Sequence, residues 1–243
     1  YGVTVDGAAA SLTSVSAQSI VVDSQPFSTV LAMDSSGSMS TCAANCAGKT
    51  GYDSTKPSLN RYSIATRAAH QFLDGKKASD EVALTFFASS VYPITDASFV
   101  NKMKNAGNAL TSYVFSADGF TTDGAKLRLP IDHYNAVSAM WSSNTTADTL
   151  HPATLATGLK ASGSYPYGGS TALFSAATDA ITRLKTRTIA RKIVVALTDG
   201  ENNAGSATLA TATAAANAAG VPIYTVGVGL GTNSTTKAAT DLR

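Results

Sequence analysis

Asp34, Ser36 and Ser38 follow directly on an apolar run, Thr29-Val30-Leu31-Ala32-Met33, and occupy alternate positions around Ser35 and Gly37. A run of that length reads as a buried strand. One that stops on a carboxylate and two hydroxyls delivers oxygen donors to its carboxyl end, the chemistry that holds a hard divalent cation.

Two further stretches carry donors of the same kind. Gly168-Gly169-Ser170-Thr171 places a hydroxyl at the start of a helical pattern, and Leu197-Thr198-Asp199-Gly200 places a second carboxylate at the end of a β-branched run. Taken singly, each has an ordinary explanation: a chance match in a Ser-rich chain, a helix cap and a turn. Taken together, two carboxylates and three hydroxyls form an all-oxygen set suited to Mg2+ or Mn2+, with Ca2+ as the alternative, and poor for zinc or copper.

The elements that must position these residues can be read from periodicity. Residues 1–26 hold short alternating apolar positions and predict one or two weak strands of an N-terminal extension. Strands are expected at Thr29 to Met33, Glu81 to Ser90, Lys192 to Leu197 and Pro222 to Gly229, with Val91 to Ile94 returning antiparallel at an edge. Helical spacing predicts Arg61 to Leu73, Asn101 to Leu110, Thr171 to Thr186, an Ala-rich helix capped by Ser206 and stopped by Gly220, and a last helix over Ser234 to Arg243. Residues of about 95–167 are too many for an ordinary connection and read as a large insertion. Alternating strands and helices imply an α/β fold, a doubly wound and mainly parallel sheet with helices on both faces. Ligands of such sheets bind beyond the carboxyl ends of the strands, where Asp34 and Asp199 both stand.

In this order and at these junctions, the three stretches resemble the metal-ion-dependent adhesion site (MIDAS) of the von Willebrand factor type A (vWA) family. The resemblance runs from about Phe27 to Arg243. It implies Ser36, Ser38 and Thr171 as hydroxyl ligands, with Asp34 and Asp199 holding the metal's waters. It further implies an open coordination position for a carboxylate from a partner protein. The Val82 to Ser90 run and the segment from Thr198 to Asn202 look most like bacterial surface and pilus-associated members. The family usually adds a strand and helix beyond the point where Arg243 stands, and these are expected to be missing here.

Composition narrows the function classes. Charged residues make up 14% of the 243 and the formal net charge is +2, which gives no electrostatic footprint for nucleic acid or an anionic membrane. No apolar run approaches the ~18 residues of a membrane span and no basic-then-apolar signal segment opens the sequence, so an anchor or export signal, if the parent protein has one, is expected outside these residues. Richness in Ala, Ser, Thr and Gly leans toward a secreted or cell-surface bacterial product, with the periplasm as the alternative compartment.

The only cysteines, Cys42 and Cys46, are too few for a closed zinc site. In an oxidising compartment they are expected to form a local disulfide, with two free thiols as the alternative. Gly48-Lys49-Thr50 lacks the earlier glycine of a phosphate-binding loop, since position 43 is Ala43. His70, His133 and His151 have no patterned nucleophile or acid partner, and no general base stands beside the metal motif, so an enzyme is not expected. Trp141 and Tyr165-Pro166-Tyr167 are candidate partner contacts, with packing of the insertion as the alternative for Trp141. The sequence thus points to metal-dependent binding of a protein or cell-surface ligand presenting a carboxylate. The alternative is a structural or assembly subunit of a pilus or other surface filament.

Overall fold

The computed structural model describes residues 4–5, 8–9, 25–41, 43, 60–95, 117–128, 130–132 and 169–229. Two short strands, β1 (Thr4–Val5) and β2 (Ala8–Ala9), pair antiparallel. The main sheet is built from β3 (Phe27–Asp34), β4 (Glu81–Phe87), β5 (Val91–Pro93), β6 (Arg191–Thr198) and β7 (Ile223–Gly227). Helix α1 spans Arg61–Gly75, α2 spans Leu173–Lys185 and α3 spans Leu209–Ala219.

The strand order is β5-β4-β3-β6-β7, with β3, β4, β6 and β7 parallel and β5 antiparallel to β4. From β3 the chain builds outward to one side, then crosses back to place β6 on the other side of β3. That reversal makes the carboxyl ends of β3 and β6 the switch point where such sheets bind ligands. The register sets Met33 beside Leu197, so Asp34 and the residues after β6 leave the sheet side by side.

Alternation along the strands explains why β3 and β4 are apolar on both faces. Leu31, Met33, Leu84 and Phe86 pack with Tyr62, Ala65, Ala69 and Leu73 of α1. Val30, Ala83 and Val194 point the other way, against Ala180, Ile181 and Leu184 of α2, while Ala32, Phe87 and Ala196 meet Leu173, Ala176 and Ala177. Neighbouring residues must therefore face opposite helices, the condition for a strand without polar alternation.

Several boundaries differ from the expectation. β4 ends at Phe87 because the Ala88 amide turns to the Ser90 carbonyl (2.9 Å), reversing the chain into β5. Helix α2 starts at Leu173, two residues after Thr171, whose backbone is held by other partners described below. The Ala-rich helix is capped by Thr208 and not by Ser206: Thr208 Oγ1 accepts from the Thr211 amide, and Thr211 Oγ1 accepts from the Thr208 amide. This reciprocal cap satisfies two amides at once, which a serine two residues earlier cannot do. Thr208→Ala is expected to lower stability by about 1 kcal/mol, read as a drop in the denaturation midpoint with unchanged slope.

Part of the expected insertion belongs to the core. Thr121 bridges Val82 through paired backbone hydrogen bonds of 2.9 and 3.0 Å, and Leu127 and Ile131 are fully buried in the α1 layer. The expected helices at 101–110 and 234–243 lie outside the described residues. So do Cys42, Cys46, His133, Trp141, His151, Tyr165, Pro166, Tyr167 and Gly168. His70 sits on α1 with Nε2 3.0 Å from Asp132 Oδ1, remote in role from the strand-end motifs. Among the described residues no helix is long and apolar enough to cross a membrane.

Candidate functional site

Asp34 closes β3 with its carboxylate fully buried. Oδ1 accepts from the Ser36 amide (2.8 Å) and Oδ2 accepts from Thr198 Oγ1 (2.5 Å). The first contact is an Asx-type turn that swings the chain after the strand and brings Ser36 and Ser38 to the same side. Their hydroxyls lie 3.0 Å apart. Ser38 Oγ in turn donates to Asp199 Oδ1 at 2.9 Å, across 161 residues of sequence. Asp34, Ser36, Ser38 and Asp199 therefore form one connected cluster.

The threonine loop is tied into the same corner through its backbone. The Gly37 amide donates to the Gly169 carbonyl (3.2 Å), and the Ala172 amide to the Ala88 carbonyl (2.8 Å). Thr171 donates its amide to Asn203 Oδ1 (2.6 Å), while its carbonyl accepts from the Asn203 and Ala204 amides, each at 3.0 Å. Asn202 Oδ1 accepts from the Phe174 amide (3.0 Å), satisfying an open donor in the first turn of α2. Gly169 has a positive φ of 77°, and a Cβ there would lie 2.6 Å from Ser89 Oγ, so a side chain would disturb the hydroxyl that accepts from the Ser170 amide (3.1 Å). Thr171 is buried, as are Asp199 and Ser36, whereas Ser38 is exposed. The cluster opens to solvent on the Ser38 side.

Burial, and then the negative charge of Asp199, push the Asp34 carboxyl up from 3.8 to about 7, against the lowering effect of its bonds to Ser36 and Thr198. A second desolvated acid nearby makes full ionisation costly unless a cation is close. Tyr62 reads in the sequence only as an apolar position on the inner face of α1. Its hydroxyl is shared between the Ser35 and Ser36 carbonyls (3.1 and 2.9 Å). Burial first, and then the charges of Asp34 and Asp199, raise its pKa well above the ordinary phenol, which keeps it a donor.

Arg61, the first residue of α1, reads in the sequence only as a helix start. Its Nη1 contacts Asp199 Oδ2 at 2.5 Å and the Ser38 carbonyl at 3.4 Å. Thr198, quoted above only as part of a motif, orients Asp34 and accepts the Gly200 amide (3.0 Å). No spacing rule within one stretch exposes these roles, because each partner comes from a different element.

The residues present fit a hard divalent cation. The donors are carboxylate and hydroxyl oxygens only, the two acids lack a full complement of positive charge, and one side of the cluster is open. Among the described residues no group of three or more His, Cys, Asp and Glu side chains that could hold a metal ion is found, so the donor set rests on hydroxyls beside the two acids.

The chain matches the family model of the von Willebrand factor type A domain over residues 133–241, a span that holds Thr171 and Asp199. No curated protein matches it. Among solved structures, it is similar to an aerotolerance-related membrane protein from Bacteroides fragilis NCTC 9343, with 16% identity, 86% of this chain and 75% of that chain covered, and a TM-score of 0.49. The conserved hypothetical protein BatB from Bacteroides thetaiotaomicron is similar at 16% identity, over 83% of this chain and 66% of that chain, with a TM-score of 0.48. The vWF domain of the type V pili tip protein Mfa5 from Porphyromonas gingivalis is similar at 15% identity, over 73% of this chain and 39% of that chain, with a TM-score of 0.37. These likenesses say nothing of a ligand. Over residues 133–241 the chain is thus similar to the von Willebrand factor type A family, and its mainly parallel sheet carries Asp34 and Asp199 to neighbouring strand ends.

Proposed function

We propose that this domain is a binding module that recognises a protein or cell-surface ligand through a divalent cation, Mg2+ or Mn2+, held at the carboxyl edge of the sheet. The observation that carries the reading is the join between Ser38 and Asp199, which unites two acids and two hydroxyls from opposite ends of the chain in one half-open cluster. Ser36, Ser38 and Thr171 would supply hydroxyl oxygens, and Asp34 and Asp199 the balancing charge. The bound ion supplies an electrophilic position for an incoming carboxylate. We read the role as binding without catalysis, because both acids are committed to Ser36, Thr198, Ser38 and Arg61 and neither stands free as a general base. A secreted or cell-surface setting suits such a module.

Titration calorimetry with Mn2+ is expected to show one ion per chain, released by EDTA. Acetate is the probe for the open position: displacement of metal-bound water by its carboxylate should lower the water proton relaxation enhancement of the bound Mn2+. An absence of Mn2+ binding would remove the metal from the reading. Binding without any response to acetate would leave a structural ion and favour the assembly role instead.

A further inference from the structure

Two of the arginines that meet acids among the described residues, Arg187 and Arg61, do so in different ways. At the amino-terminal edge of the sheet, Arg187 grips Glu81 bidentately, Nε to Oε1 at 2.7 Å and Nη2 to Oε2 at 2.5 Å. Arg61 meets Asp199 through Nη1 alone, at 2.5 Å, with the same nitrogen reaching the Ser38 carbonyl at 3.4 Å. Its Nε is buried and has no hydrogen-bond partner among the described residues. A bidentate fork is the strong form of this contact and the single-nitrogen form the weaker one.

The position of Arg61 is nonetheless imposed. Its amide donates to the Thr41 carbonyl (3.0 Å), so the first residue of α1 is fixed to the chain leaving the Ser36–Ser38 turn. On the other side Gly229, at a φ of 72°, comes so close that a Cβ there would lie 2.8 Å from Arg61 Nε. The guanidinium is thereby held between the Gly229 loop and Asp199, with its side chain 24% exposed and that of Asp199 4% exposed. It occupies the negative corner where a divalent ion would find its charge balance.

We propose that Arg61 is an internal placeholder cation. It neutralises Asp199 when no metal is bound and competes with the divalent ion for that carboxylate. The inference rests on the metal-binding reading above. Metal binding at Asp199 would exchange one cation for another and release the Nη1 contact. Arg61 thus lowers the affinity for metal while stabilising the metal-free protein. A residue with a merely structural part in the site would, when removed, weaken metal binding; this one should strengthen it.

The test compares the full chain, Arg61→Gln and Arg61→Lys by Mn2+ titration calorimetry and by thermal melting in EDTA and in saturating Mn2+. Arg61→Gln is expected to bind Mn2+ about tenfold tighter, equivalent to ~1.4 kcal/mol. It should melt lower than the native chain in EDTA and gain more from Mn2+. Arg61→Lys, which keeps the charge, should stay near the native affinity. Equal or weaker binding by Arg61→Gln, with the native chain still binding Mn2+, would overturn the placeholder and leave the metal reading intact. Failure of the native chain and of Arg61→Gln alike to bind Mn2+ would overturn both.

Discussion

Asp34→Asn is expected to melt above the native chain in EDTA at pH 8 and to gain nothing from Mn2+. The reason is the fully buried acid at the end of β3, whose carboxyl is pushed up from 3.8 to about 7 by burial and then by Asp199. In the metal-free protein this group favours folding while it stays protonated. Its contribution is complete below about pH 4 and falls as pH rises toward 7, because the unfolded chain ionises first. At pH 8 the native chain carries the full cost of a buried charge, which an amide avoids.

Allowing for a poorer hydrogen bond to Thr198, the gain should be roughly 2 kcal/mol, or about 5 °C in a domain of this size. A bound divalent ion reverses the argument, since it favours the ionised acid. Stabilisation of the native chain by Mn2+ should therefore grow between pH 5 and pH 8, and Asp34→Asn should show no such trend. Melting curves in EDTA and in Mn2+ across that range decide the matter. A lower melting temperature for Asp34→Asn with Mn2+ stabilisation retained would make Asp34 a structural acid only.

At the opposite edge of the sheet, Arg187→Ala is expected to cost about 3 kcal/mol, a fall of roughly 10 °C, without changing Mn2+ affinity. Arg187 binds Glu81, pairs with Asp118 and lies over the Phe120 ring at 4.6 Å, while Arg183 reaches Thr85 Oγ1 (2.6 Å) and the Asp118 carbonyl (2.9 Å). These contacts fasten the 117–121 segment to α2 and β4. Removing the guanidinium leaves the largely buried Glu81 carboxylate with Ser28 Oγ, at 2.5 Å, as its remaining side-chain donor.

Glu81 pairs in register with Ser28 and Phe87 with Asp34, so the Arg187 cluster and the Asp34 corner stand six residues, about 20 Å, apart along the strands. Adding Glu81→Gln to Arg187→Ala should recover part of the loss by removing the orphaned charge, and Arg187→Lys should recover little because it lacks the fork. A loss below about 1 kcal/mol would show the cluster to be solvated surface. A loss of Mn2+ binding would show that the two edges of the sheet are coupled.

The local properties of this chain were legible in its residue order. An apolar run with no polar alternation identifies a strand covered on both faces, and β3 and β4 are covered by α1 on one side and by α2 on the other. Acids that end such runs must stand at a strand terminus, which places Asp34 and Asp199 at the carboxyl edge. Boundaries governed by a competing bond were not legible: Thr208 displaced Ser206 as cap because of a reciprocal partner at Thr211, and Thr171 stayed outside α2 because Asn203 holds both its amide and its carbonyl.

What only the tertiary structure decided is which groups meet. The placing of β6 beside β3 brings Asp199 to Ser38, and the docking of α1 brings Arg61 and Tyr62 to the same corner. In the sequence that arginine is a helix start and that tyrosine one apolar position among several. Periodicity reports the face a residue occupies within its own element, and the element packed against that face is fixed by strand order and loop path, which no local spacing encodes.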